Sequence, residues 1–237
     1  LLISSKKKTL TTTDVPPENL LDHPFYGIPL DEEQRIFAQS IWDENIDIVF
    51  CNAKAGTGKT TVSIGAANLL VQYGRFSNII YVISPVSEHR QGYLPGDITE
   101  KSSVYFEPVY QAMVECNINP FTALNDESLV MQKKGEGYIT CITDTYLRGS
   151  NLKDAVVILD EAQNYTISQL KKVLTRVCFN TKVVVIGHDL QCDLEDGEQS
   201  GFVKYINHFK DKDRCAVCEL KNNHRSWVSQ WADELQE

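Results

Sequence analysis

The run Ala53-Lys54-Ala55-Gly56-Thr57-Gly58-Lys59-Thr60 constrains this chain more than any other feature. Ile46–Phe50 ahead of it is short, apolar and strand-like, and Lys59–Tyr73 behind it has helical patterning, so a glycine-bearing loop joins a strand to a helix. In that setting successive backbone N–H groups and the helix N-terminus converge on one point, and an anion is what they can hold. Gly56 and Gly58 permit close backbone approach, Lys59 brings an ammonium to β- and γ-phosphates, and the Thr60 hydroxyl is placed to ligate Mg²⁺. Ala53 stands where the pattern usually has its first glycine, while Lys54, Ala55, Thr57 and Thr61 complete the loop and the helix start. The whole stretch reads as a triphosphate-binding loop.

Further strand-like runs at Ile79–Ile83, Tyr138–Ile142, Ala155–Asp160, Lys182–Gly187 and Cys215–Leu220 alternate with helix-like stretches around Val104–Cys116, Thr166–Cys178, Gly201–Phe209 and Ser226–Leu235. Another helix follows Asp31, a good N-cap. Such alternation predicts an α/β fold with a mainly parallel sheet and helices on both faces. One domain over residues 24–237 is expected. Residues 1–23, with Lys6-Lys7-Lys8, Thr11-Thr12-Thr13 and Pro16-Pro17, bury little and are expected to form a flexible arm.

Two strand ends add chemistry. Val156-Val157-Ile158-Leu159 delivers Asp160 and Glu161 at the carboxyl end of a buried strand, where α/β sheets place ligands. Asp160 is suited to the Mg²⁺ shell, and Glu161, projecting the other way, to orient and deprotonate an attacking water. Val185-Ile186-Gly187 leads similarly to Gln191, a candidate contact for the γ-phosphate or the water.

Lys plus Arg number 23 against 32 Asp plus Glu, a net charge of −9, which excludes a polybasic binder and makes any nucleic-acid contact local. No apolar run approaches the roughly 20 residues of a membrane helix. Leu1–Ile3 runs straight into Ser4–Lys8 without the order of a secretory signal, so a cytoplasmic setting is expected. The seven cysteines are irregularly spaced and read as reduced thiols. Cys215 and Cys218 sketch half a zinc site, but positions three apart on a strand point to opposite faces.

Taken together, these residues resemble the PhoH family of P-loop ATPases, related to the core of superfamily 1 helicases. The resemblance runs from about Pro24 to Leu235 and includes Gly92-Tyr93-Leu94-Pro95-Gly96-Asp97, Glu100-Lys101, Tyr146-Leu147-Arg148-Gly149, Asp160-Glu161-Ala162-Gln163-Asn164, Gly187 to Leu194 and Ser200-Gly201. Ser84-Pro85 stands where the family usually has Arg-Pro, and His188 where it usually has Asp. The resemblance implies a RecA-like P-loop NTPase fold and an ATP-hydrolysing enzyme. It implies that Gln34 reads the adenine edge and that Arg225 acts as an arginine finger. Arg148 would face nucleic acid or a neighbouring subunit, His89 and Arg90 lie where the related helicases grip single-stranded phosphates, and the assembly would be a homo-oligomer, commonly a hexameric ring. Family members with an added RNase domain are longer, so nuclease activity is not expected.

Mg²⁺-dependent ATP hydrolysis coupled to remodelling or translocation of single-stranded RNA or DNA is the leading expectation. Lys133-Lys134, Lys171-Lys172 and Arg176 are the local basic groups available for it. A kinase is disfavoured by the Asp160-Glu161 pair, and a GTPase by the wrong order of Asn151-Leu152-Lys153-Asp154 as a guanine reader. A nucleotide-gated assembly module acting on a protein partner is the alternative.

Overall fold

The computed structural model describes residues 16–22, 24–83, 106–125, 137–147, 151–194 and 197–233. Their strands are β1 (Ile48–Ala53), β2 (Asn78–Ile83), β3 (Ile139–Thr143), β4 (Ala155–Asp160), β5 (Thr181–Gly187) and β6 (Cys215–Leu220). They form one 6-stranded sheet in the order β3-β2-β4-β5-β1-β6. Every neighbouring pair is parallel, with registers such as Ile48↔Val183, Phe50↔Val217 and Ile79↔Val156. Every residue of β4 and β5 is buried, and burial on both faces explains their apolar stretches 155–159 and 183–186.

The helices are α1 (Glu32–Trp42), α2 (Lys59–Gln72), α3 (Glu107–Glu115), α4 (Pro120–Ala123), α5 (Ile167–Leu174), α6 (Phe202–Phe209) and α7 (Trp227–Asp233). One face of the sheet packs with Phe37, Ile41 and Trp42 of α1, Ile64 and Leu70 of α2, and Met113 of α3. On the other face lie Leu170 and Val173 of α5, Phe202 of α6, and Tyr165. Burying apolar side chains on both faces is what fixes the layered architecture. Capping boxes start α1 (Asp31 with Gln34) and α5 (Thr166 with Gln169), satisfying N–H groups that have no partner within the helix.

Residues ahead of Pro24 pack against α1. Leu20 is buried in a 3₁₀ turn (Leu20–Asp22), the Trp42 indole donates to Pro17 O at 2.8 Å, and Leu20 N donates to Gln39 Oε1 at 2.9 Å. The expected motifs on residues 1–15, 84–105, 126–136 and 148–150, including His89, Arg90, Lys133-Lys134 and Arg148, lie outside the described residues.

Candidate active site

β1 hands the chain to the loop at the carboxyl edge of the sheet, between β5 and β6. Gly56 and Gly58 both adopt left-handed backbone (φ 74°), which a glycine takes without steric cost, and Gly58 forms the N-cap of α2. The buried Thr57 closes the turn by donating its hydroxyl to Lys54 O at 2.9 Å. Lys54 N donates to Leu220 O at 3.0 Å, so β6 anchors the loop entry, and Ala53 is buried at the end of β1.

Lys59 and Thr60, in the first turn of α2, meet the carboxylates of β4. Lys59 Nζ lies 3.2 Å from Glu161 Oε1, and Thr60 Oγ1 lies 3.4 Å from Asp160 Oδ2. Asp160 is only 3% exposed, and it accepts from the Tyr81 phenol of β2 and from Glu161 N at 2.8 Å. Burial pushes the Asp160 carboxyl up, opposed by the Lys59 ammonium. For Lys59, burial works against the charge, but Asp160 and Glu161 outweigh it and hold the ammonium above its ordinary range.

Glu161 is aimed by a turn rather than by strand alternation. It follows the last residue of β4 with left-handed backbone (φ 51°, ψ 44°), which carries its carboxylate towards Lys59. Gln163 holds the other carboxylate oxygen, donating from Nε2 to Glu161 Oε2 at 2.5 Å, while its Oε1 accepts from His188 N at 2.9 Å. Gln163 therefore ties the ends of β4 and β5 together. The Asp-Glu-Ala-Gln run contained it, but its role depends on the unusual backbone at Glu161, which composition and periodicity do not reveal.

The remaining expected residues are placed as follows. Gln34 is buried against the loop, its Nε2 donating to Thr57 O at 2.8 Å and its Oε1 accepting from Asp31 N at 3.1 Å. Thr61 donates to Glu115 Oε2 of α3 at 2.7 Å. Arg225 lies over the loop of its own chain: a Cβ on Gly56 would come within 3.1 Å of Arg225 Cγ and 2.6 Å of Asn223 Oδ1. His224 N donates to Gly56 O at 2.8 Å, and its ring meets Asp31 Oδ2 at 2.9 Å. Gln191 is exposed on the loop beyond β5, its N donating to His188 O at 3.1 Å. Lys171 and Lys172 are exposed in the last turn of α5, which returns to the sheet edge opposite the loop. Cys215 and Cys218 pack in different layers, Cys215 with the α5–α6 face and Cys218 with the α1–α2 face, where they cannot share a zinc ion.

Asp160 and Thr60 present hard oxygen donors beside a phosphate-binding loop, a set that fits Mg²⁺ shared with phosphate oxygens.

Residues 28–235 match the PhoH family, described as PhoH-like protein. A PhoH-like protein of Mycobacterium tuberculosis (strain H37Rv) is 36% identical over 174 residues, covering 73% of this chain and 47% of that protein. Protein PhoH of Escherichia coli (strain K12) is 35% identical over 177 residues, covering 73% of this chain and 48% of its own length. The chain thus spans about half the length of the relatives it matches. The large terminase of a thermophilic bacteriophage superposes with a TM-score of 0.54 at 13% identity, over 85% of this chain and 48% of that one. The UvsW helicase of bacteriophage T4 does so with 0.51 at 11% identity, over 81% and 60%. At such identities the likeness is one of fold alone. With its parallel sheet, its loop between β1 and α2 and a family match across residues 28–235, the chain belongs to the PhoH-like family of P-loop NTPases.

Proposed function

We propose that the protein is an Mg²⁺-dependent ATPase whose hydrolysis drives remodelling of, or translocation along, single-stranded nucleic acid, RNA foremost. The contact between Lys59 and Glu161 at 3.2 Å carries the hydrolytic half of this reading. A phosphate entering the loop competes for the Lys59 ammonium. Glu161 is then released to accept a proton from water, still held on its other oxygen by Gln163. Asp160 and Thr60 would hold Mg²⁺, which when bound supplies charge compensation on the β- and γ-phosphate oxygens. The loop amides and Lys59 stabilise charge on the transferring phosphoryl group, with Arg225 close enough to the loop to add to it. Gln191 is the candidate sensor beyond β5.

The nucleic-acid half is supported by family membership and by the fold shared with a phage helicase and a terminase. Assembly into a homo-oligomer, with a hexameric ring as its expected form, belongs to the same reading. Exposed Trp227, Val228 and Trp231 on α7, next to Arg225, offer apolar surface for a neighbouring copy.

Steady-state ATP hydrolysis with Mg²⁺, alone and with single-stranded RNA or DNA, tests the proposal, with Lys59→Ala and Glu161→Gln as blanks. Stimulation by a nucleic acid that disappears in both variants is the expected result. Hydrolysis indifferent to both nucleic acids would overturn the coupling and favour an assembly module gated by a protein partner.

A further inference from the structure

β1 and β6 run side by side as far as Ala53↔Leu220, so the segment 221–225 that leaves β6 starts beside the phosphate loop that leaves β1. It crosses the loop under restraint. Lys221 N donates to Glu33 Oε2 of α1 at 2.7 Å, Asn222 Nδ2 to Asp31 Oδ2 at 3.0 Å, and His224 N to Gly56 O of the loop at 2.8 Å. The His224 ring returns to Asp31 Oδ2, its Nε2 lying 2.9 Å away, and because a carboxylate only accepts, Nε2 carries the hydrogen. The two Asp31 oxygens thus divide: Oδ1 caps α1, accepting from Gln34 N at 2.8 Å, and Oδ2 holds the segment.

His224 is therefore pinned twice, by its backbone to the loop and by its ring to α1. A residue held at both ends fixes the direction in which the chain leaves it, and Arg225 is the next residue. Arg225 N donates to Asn223 Oδ1 at 2.9 Å, and its side chain joins Lys59 and Thr60 in lining a groove of about 460 Å³. A guanidinium on a long stem loses rotamer freedom when it is placed on a phosphoryl group, and a backbone set in advance reduces that cost. Both anchors of His224 belong to the chain that carries Arg225, so the loop beneath this arginine is its own.

We propose that His224 is a positioning residue which, anchored to Gly56 and Asp31, sets Arg225 on the phosphate loop of its own chain, an inference that rests on the nucleotide reading above. Phosphate release at saturating ATP and Mg²⁺ tests it on the whole chain carrying His224→Ala, Arg225→Ala or both. Arg225→Ala should lower kcat by roughly a hundredfold or more, and His224→Ala by roughly tenfold or more. Because one acts through the other, adding His224→Ala to Arg225→Ala should cost less than about twofold further. His224→Gln, whose amide N–H can replace the ring N–H, should recover most of the rate. Losses that multiply in the double variant, or no loss in His224→Ala, would overturn the assignment. Should His224→Ala not fold, Asp31→Asn, which keeps an oxygen for the α1 cap and removes the charged acceptor facing His224, should show the same dependence on Arg225. Co-expressed Arg225→Ala and Lys59→Ala chains should regain no hydrolysis; recovery would mean that Arg225 serves a neighbouring copy and would overturn the placement. Wild-type hydrolysis with an unaffected His224→Ala sinks this inference alone, whereas a wild type that does not hydrolyse ATP sinks the nucleotide reading with it.

Discussion

Glu161 reaches Lys59 because its own backbone turns left-handed, and Gln163 then fixes the carboxylate from the far side. In the proposed mechanism Gln163 is a positioning residue. Gln163→Ala is expected to lower kcat roughly ten- to a hundredfold while leaving KM for ATP nearly unchanged, because misaiming a base costs rate without touching the phosphate loop. A rise in KM with full kcat would show Gln163 to be a binding residue instead. Gly56→Ala should cost about 1–2 kcal/mol from left-handed backbone alone, and the new methyl would also press on Asn223. Thermal melting together with ATP affinity would register both effects. At this scale Lys59, Thr60, Asp160 and Glu161 are legible in the sequence because a short loop pattern and an apolar strand ending in carboxylates each imply their own chemistry. Gln163 and Tyr81 are not, because their contacts with Glu161 and Asp160 arise only in the folded backbone.

Elements are legible where periodicity is long or strongly apolar, as in α1, α2 and β4. β1 proves to extend through Cys51, Asn52 and Ala53, residues that look loop-like in isolation but pair with β5 and β6 on either side. The four-residue α4 is too short for any period to show. Sheet order is also hidden: β5 lies between the loop strand β1 and the carboxylate strand β4, a fact of packing rather than of local sequence. Asp31 caps α1 and also accepts from Asn222 and meets His224, thereby holding the segment that overlies the loop. Asp31→Ala is expected to lose about 1 kcal/mol of stability and to weaken ATP binding as that segment loosens. A melting loss with unaltered ATP affinity would separate the cap from the site. Gly201→Ala should destabilise more, because its methyl would meet backbone, with Ile167 N at 2.8 Å, where no rotamer change brings relief.

Across the whole molecule, chemistry gathers at the carboxyl edge of the sheet, and the opposite edge carries a buried lysine. Lys182 donates to Asp43 O at 2.5 Å and to Ile46 O, and burial lowers its ammonium from 10.5 to about 8. Between about pH 8 and 10.5 the unfolded chain therefore binds more protons at this site than the folded one. The cost of burying the charge is fully present below pH 8 and is relieved as pH rises through that window, by on the order of 3 kcal/mol. Wild-type stability relative to Lys182→Met should thus increase from pH 8 to 10.5, and a flat difference in denaturant midpoints would contradict it. At the other edge, the proposed arrangement binds ATP and hydrolyses it by way of Glu161. Its most direct test measures bound ATP and released phosphate on the same samples of wild type and Glu161→Gln with Mg²⁺. Equal ATP binding with phosphate release by the wild type alone is predicted; equal release by the two proteins, or no ATP bound by either, would contradict it.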